Sequence, residues 1–592
     1  MDKHPKIGSV LVKAALVVAI AVSRSAFSQE NASALKKADA AYRAGQTAFV
    51  RKDLSEAQAD FEQVVQLDPK AYQGHSSLGV VLIGRGHIRE GIRELEKALA
   101  IKPTDSTTQI NLAMAYQQIG SPEKAVPLFA RLEADAHLQK RTLPSYLLAA
   151  YARALAQMQK IQPAVTRMRG AVAEDSQNPE LHDELGSLYA QQKDWADAQQ
   201  EFATAIRLNP QSAVAHLHLG LVMQARGETD GLKELSLASQ LAPQDAGIGF
   251  ELGKGLAAAG DDEQAIPVFQ HVLNLKPNFT AASYQLALVL QRTNRVQEAI
   301  PLLRNVISAE PNNAEAMTNL GMALSQAQLA KDAAPVLQRS IALAPESVTA
   351  HQDLAAAYVQ LSQFGDAVDQ LHAALKLAPD QPQLHYNLGL ALKMQDDAVH
   401  AIPELETAQR LDPSAPEAPY LLGVLYMQTG RYDDAAREMN TSLKIHPDNG
   451  DGWATLGSVY DKLNKLPEAT SALREAIRQI PSQPDPHLTL AAVLVKQNQP
   501  VEAAAERRKA ADLMRTNMNR QRAEVATNAG NSQLRGGDAG AAVVQFREAL
   551  SYDANYAEAH LGLANALDRQ GKTAEAAAER QKAEAAKTAA TP

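Results

Sequence analysis

The sequence contains no cysteine, which excludes disulfide frameworks, thiolate metal sites, cysteine nucleophiles and an acyl-cysteine membrane anchor. Aromatic residues are scarce, at 5% of 592 residues, while apolar residues as a whole reach 45%. That balance, rich in alanine, suits close-packed helices better than strands. Positive charge is not in excess either. The 58 basic residues face 67 acidic ones, a formal net charge of -9, which disfavours the concentrated basic face that nucleic acid requires. Beyond the first thirty residues no apolar run approaches the roughly 20 residues of a membrane span. Catalytic signatures are missing too: there is no nucleophile elbow, Gly-rich phosphate loop or HExxH.

The first thirty residues read as an address. Lys3, His4, Lys6 and Lys13 form a basic leader, Ala14 to Val22 an apolar core, and Ala26-Phe27-Ser28 places small residues at -3 and -1. Residues 1–28 are therefore expected to be a cleaved secretory signal, with cleavage after Ser28. The mature chain would carry 54 basic and 66 acidic residues, net -12, and would be periplasmic or extracellular, with no membrane span after signal removal.

A period of 34 organises the remainder. Pro69 and Pro103, then Pro210, Pro243, Pro277, Pro311, Pro345, Pro379, Pro413, Pro447 and Pro481 are separated by 34 residues, or once by 33. This is an internal repeat. At fixed offsets before each proline stand two small residues, such as Gly79 with Gly91, Gly186 with Ala198, and Gly389 with Ala401. The same phase continues through units without the proline and yields sixteen units. Each holds two apolar-periodic stretches broken by a polar turn. The small residues have a physical reason, since two helices approach to about 8 Å only where no side chain fills the crossing. The expected organisation is a lead-in at 29–37, an array over 38–587 with insertions near 131–145 and 515–521, and a frayed tail at 588–592. From Val501 to Leu534 only Gly530 interrupts a helical pattern, so one continuous rod is expected there.

Leu185-Gly186, Tyr189, Ala198, Phe202, Ala205 and Pro210, and again Trp453, Leu456-Gly457, Tyr460, Ala469, Ala476 and Pro481, resemble the consensus of the tetratricopeptide repeat family. The resemblance covers nearly the whole mature chain. It implies an all-α, right-handed superhelical solenoid of helix-turn-helix units whose first helices line a groove. It also implies that positions 2, 5, 9 and 12 of each first helix face that groove.

At positions 5 and 9 of units 6 to 9, 11 and 12 stand Leu217, Leu221, Phe250, Tyr284, Leu288, Met322, Tyr386, Leu390, Tyr420 and Val424, together with Lys254 and Thr318. An apolar and aromatic stripe of this kind suits an extended peptide or amphipathic helix; its plainer reading is packing between adjacent first helices. Seven histidines share position 4: His75, His182, His216, His351, His385, His487 and His560. Repeat stacking at about 10 Å separates them too far to share a metal ion, so they read as packing residues. Asp261-Asp262-Glu263, Asp396-Asp397 and Asp433-Asp434 fall in inter-helix turns and read as helix caps.

The expectation is a non-catalytic interaction scaffold or adaptor of the cell envelope or secreted space. It would have no metal or cofactor and would capture a protein or peptide segment along units 6 to 12. The alternative is a scaffold assisting polysaccharide export, because groove aromatics stack on sugars as readily as on peptides.

Overall fold

The structure, a computed structural model, describes residues 32–590, so the expected export signal lies outside the described residues. Among the described residues there are 31 helices and no strand, and no helix is long and apolar enough to cross a membrane. They fall into two compact bodies that divide between Arg295 and Val296. The first holds seven complete helix pairs and the leading helix of the eighth repeat; the second holds the remainder. In each body, successive helices pack as antiparallel pairs along the chain. The chain is an all-α solenoid of sixteen repeats, as the 34-residue period predicts.

Each repeat closes on a crossing lined by glycine or alanine. A Cβ on Gly389 would lie 2.6 Å from Leu405 Cγ, and one on Gly186 would lie 2.7 Å from Phe202 Cε1. The partner sixteen residues on is a large apolar residue: Phe61, Phe129, Phe202 and Phe269 in the first body, Leu337, Leu405, Leu473 and Phe546 in the second, all at most 2% exposed. The small residues thus make room for one bulky side chain per pair.

The turn between the two helices of every repeat holds one residue in the left-handed region. Seven of the sixteen are glycines, such as Gly430 at φ 75°; the other nine carry side chains, including Lys193 (63°), Ser362 (58°) and Asp396 (61°). Asp396 therefore terminates a helix instead of capping the next one. Of the acidic pairs expected to cap, only Asp397 does so, accepting from the His400 amide. Asp261 makes no such bond, Asp262 pairs with Arg292, and Asp434 lies between Arg431 and Arg437.

The expected rod is present as a single helix, Pro500–Arg535, of 36 residues, about 54 Å long. Position 507, which aligns with the bulky crossing residue of other repeats, is an exposed Arg507, and residues 511–522 are almost wholly exposed. With neither Gly nor Pro to break it, the insertion extends the helix where other repeats turn. The earlier insertion behaves similarly: Pro122–Leu138 runs to 17 residues against the usual 14. At the ends, the first helix starts at Ala32 and the last runs to Ala590, so 32–37 and 588–590 are helical.

Candidate functional site

Residues on the first helices meet their counterparts across the repeat stack. Asp183 accepts from His218 Nδ1 at 2.9 Å, Arg153 binds Glu184 through two 2.7 Å bonds, and the Ser77 hydroxyl lies 3.4 Å from that of Tyr42. In register these link position 6 of one repeat to position 5 or 9 of the repeat before it.

The ten predicted groove residues lie on first helices, five in each body, and every one is half-buried. In the first body, Phe250 packs 4.8 Å from Phe279 and 6.1 Å from Phe269, and Lys254 lies over its ring while pairing with Glu251 at 2.8 Å. In the second, Tyr386, Leu390, Tyr420 and Val424 rest on the buried cluster that includes Leu388, Leu421 and Leu425. Burial raises the pKa of both tyrosines, with Glu417 adding to it at Tyr386 and Asp451 at Tyr420. Each side chain is packed along one edge and open along the other. Leu217, Leu221, Tyr284, Leu288 and Met322 share the half-buried state. Elsewhere on the first helices, Asp461 is paired with Lys496 and Asp568 with Arg580.

The position-4 histidines do more than pack. Nδ1 of His75 donates to Glu94 at 2.6 Å while Nε2 lies 3.1 Å from the Pro69 carbonyl oxygen. The same pair of bonds recurs at His182, His216, His385 and His560, each with a glutamate, and at His351 with Gln370. His487 makes the glutamate bond, to Glu506. A carboxylate accepts, so the Nδ1 that faces each glutamate donates that bond. The ring staples the first helix to the second helix and to the preceding loop. Burial would raise Glu94, Glu506 and Glu579, but hydrogen bonds from histidine and lysine outweigh it and hold all three carboxyls below the usual range. The signal was in the sequence: each of the seven histidines is followed 19 residues later, or 18 in the shortened repeat, by Glu or Gln. Trp453 is followed at that offset by Ala472, and its Nε1 alone reaches the Pro447 carbonyl, at 2.8 Å.

Among the described residues no cluster of His, Asp and Glu is arranged to hold a metal ion.

Models of the tetratricopeptide repeat match residues 179–212, 284–348, 356–396, 392–459 and 527–590. The chain is a tetratricopeptide repeat protein. It is 25% identical over 235 residues to the peroxisomal targeting signal receptor of Kluyveromyces lactis, an alignment spanning 40% of this chain and 35% of that relative's length. Among solved structures it is similar to YrrB, described as a TPR protein with an unusual peptide-binding site (21% identity, 31% of this chain and 95% of that one, TM-score 0.28). It is also similar to a chain of the APC/C hetero-tetramer Cut9-Hcn1 (14% identity, 91% and 99%, TM-score 0.31). Tetratricopeptide repeat arrays are protein-protein interaction scaffolds, and the repeat fold is generally non-catalytic.

Proposed function

We propose that this tetratricopeptide repeat protein is an adaptor of the cell envelope or secreted space that holds a partner's peptide segment against its first-helix face. The observation that carries the reading is the half-buried row. Tyr386, Leu390, Tyr420 and Val424 are fixed from below by the core yet keep an open edge, so apolar and aromatic contact surface is preformed and little side-chain entropy remains to be lost on binding. A relative that is a targeting-signal receptor agrees with segment capture. The envelope setting rests on the basic leader, the apolar core from Ala14 to Val22 and the small residues at Ala26 and Ser28.

Affinity capture from native extract tests the face, with the wild type beside a variant carrying Phe250→Ala, Tyr386→Ala and Tyr420→Ala that melts as a folded helical protein. A protein retained by the wild type and lost by the variant is the expected result. A glycan behaving so would favour polysaccharide export instead, and identical retention by both baits would refute the face. Cell fractionation with N-terminal sequencing tests the setting: the mature chain should begin at Gln29 outside the cytoplasm, and a cytoplasmic chain beginning at Met1 would refute it.

A further inference from the structure

The half-buried row is interrupted at repeat 10. There, positions 5 and 9 are Gln352 and an exposed Ala356, while the flanking repeats place Met322 on one side and Tyr386 with Leu390 on the other. The same helix, Val348–Gln360, carries Asp353 at position 6. In repeats 5 and 6 that position finds a polar partner on the preceding repeat, as Glu184 finds Arg153 and His218 finds Asp183. The groups in register with Asp353 are Thr318 and Met322. The Thr318 hydroxyl is already engaged, with the Ala314 carbonyl at 3.1 Å and Ser340 Oγ at 2.8 Å, and a methionine cannot donate. Asp353 Oδ2 is accordingly buried with no hydrogen-bond partner, and among the described residues no cation pairs with the carboxylate. Burial alone pushes the group up to about 7, with no neighbouring charge acting on it.

An unpaired buried carboxylate costs stability unless something else satisfies it. Position 2 of its own and the following repeat is uncharged, Thr349 and Gln383, so no cation stands beside it there. Deepening the face-binding reading, on which it rests, we propose that repeat 10 is a notch for a basic side chain. The bound segment carries a lysine or arginine whose cationic head pairs with Asp353, and its apolar neighbours lie on Met322, Tyr386 and Leu390. The small, exposed Ala356 lies one turn along the same helix, and the apolar flanks would strengthen the ion pair by excluding water. A lone carboxylate supplies too few ligands for a metal ion, which leaves an organic cation as its complement.

The test is an array of hexapeptides built from Leu and Tyr with one variable position holding Lys, Arg, norleucine, Gln or Glu, probed with the full chain. The wild type should bind Lys and Arg peptides about tenfold or more tighter than the norleucine peptide. Asp353→Asn should abolish that preference and keep norleucine binding, and Asp353→Lys should shift it to Glu. A basic preference that survives Asp353→Asn, or equal binding of Lys and norleucine peptides by the wild type, would overturn the notch and leave the face reading standing. Binding of none of the peptides would overturn both.

Discussion

His385 and Glu404, nineteen residues apart, face each other with Nδ1 2.6 Å from Oε2, while the other ring nitrogen lies 2.8 Å from the Pro379 carbonyl oxygen. One side chain therefore ties together three segments that the helix ladders leave unconnected. Where Trp453 replaces histidine, Ala472 replaces the glutamate and only the carbonyl bond remains. Two solutions to one packing position are thus built into one chain.

This relationship predicts a compensation. His385→Ala strands a half-buried carboxylate and should cost about 1 to 3 kcal/mol. The double variant His385→Trp with Glu404→Ala reproduces the Trp453 solution and should recover most of that loss. Denaturant unfolding followed by circular dichroism measures both, and a double variant no better than the single one would contradict the staple.

Acid should weaken the staples. Glu94, Glu506 and Glu579 are held below the ordinary glutamate range in the folded chain. Their contribution is complete above the unfolded value near 4.5 and is lost as pH falls through the lower folded value. Melting temperature should drop between about pH 5 and 3, and replacing all three with Gln should flatten that drop. An unchanged slope would show that other carboxylates govern it.

Asp353 should act with the opposite sign. Its folded value near 7 lies above the ordinary 3.8, so the folded chain keeps a proton that the unfolded chain releases, and stability falls as pH rises from about 4 to 7. Asp353→Asn should be stabilising at pH 8, by at most about 4 kcal/mol before solvent relaxation is allowed for, and near neutral at pH 4. A destabilising effect at pH 8 would mean that the carboxylate has a partner within the fold.

The helix crossings predict a contrast between two glycines. Gly389→Ala forces a Cβ to within 2.6 Å of Leu405 Cγ and should cost about 1 to 3 kcal/mol despite the better helix former. Gly365→Ala meets nothing nearer than Gln395 Nε2 at 3.5 Å and should be neutral or stabilising by up to about 1 kcal/mol. Similar losses at both sites would refute the close-approach account.

The left-handed turn residues add a further variant. Ser362 adopts φ 58° where other repeats use glycine, so Ser362→Gly should stabilise by about 1 kcal/mol. A loss there would mean that the serine side chain holds the turn.

Repeat number, helix pairing and the long helix were legible because they follow from spacing. The 34-residue period, the Gly389/Ala401 type of pair and the lack of breakers between Val501 and Gly530 each act through backbone geometry alone. The side-chain chemistry was less legible. His385 read as packing because the Glu404 offset spans a turn and two helices, which no single-helix periodicity detects. Asp396 and Asp397 looked alike in sequence, yet one takes the left-handed turn position and the other caps the next helix. Asp353 gave no signal, since its lack of a partner depends on where the Thr318 hydroxyl points.

Site-specific photo-crosslinking tests the central claim most directly. A benzophenone side chain would be placed at Leu221, Met322 or Leu390 on the first helices, and at Val399 or Val544, which are 78% and 61% exposed on second helices. The account predicts that a native partner crosslinks from the first-helix sites and not from Val399 or Val544. Crosslinks confined to the second-helix sites would contradict it.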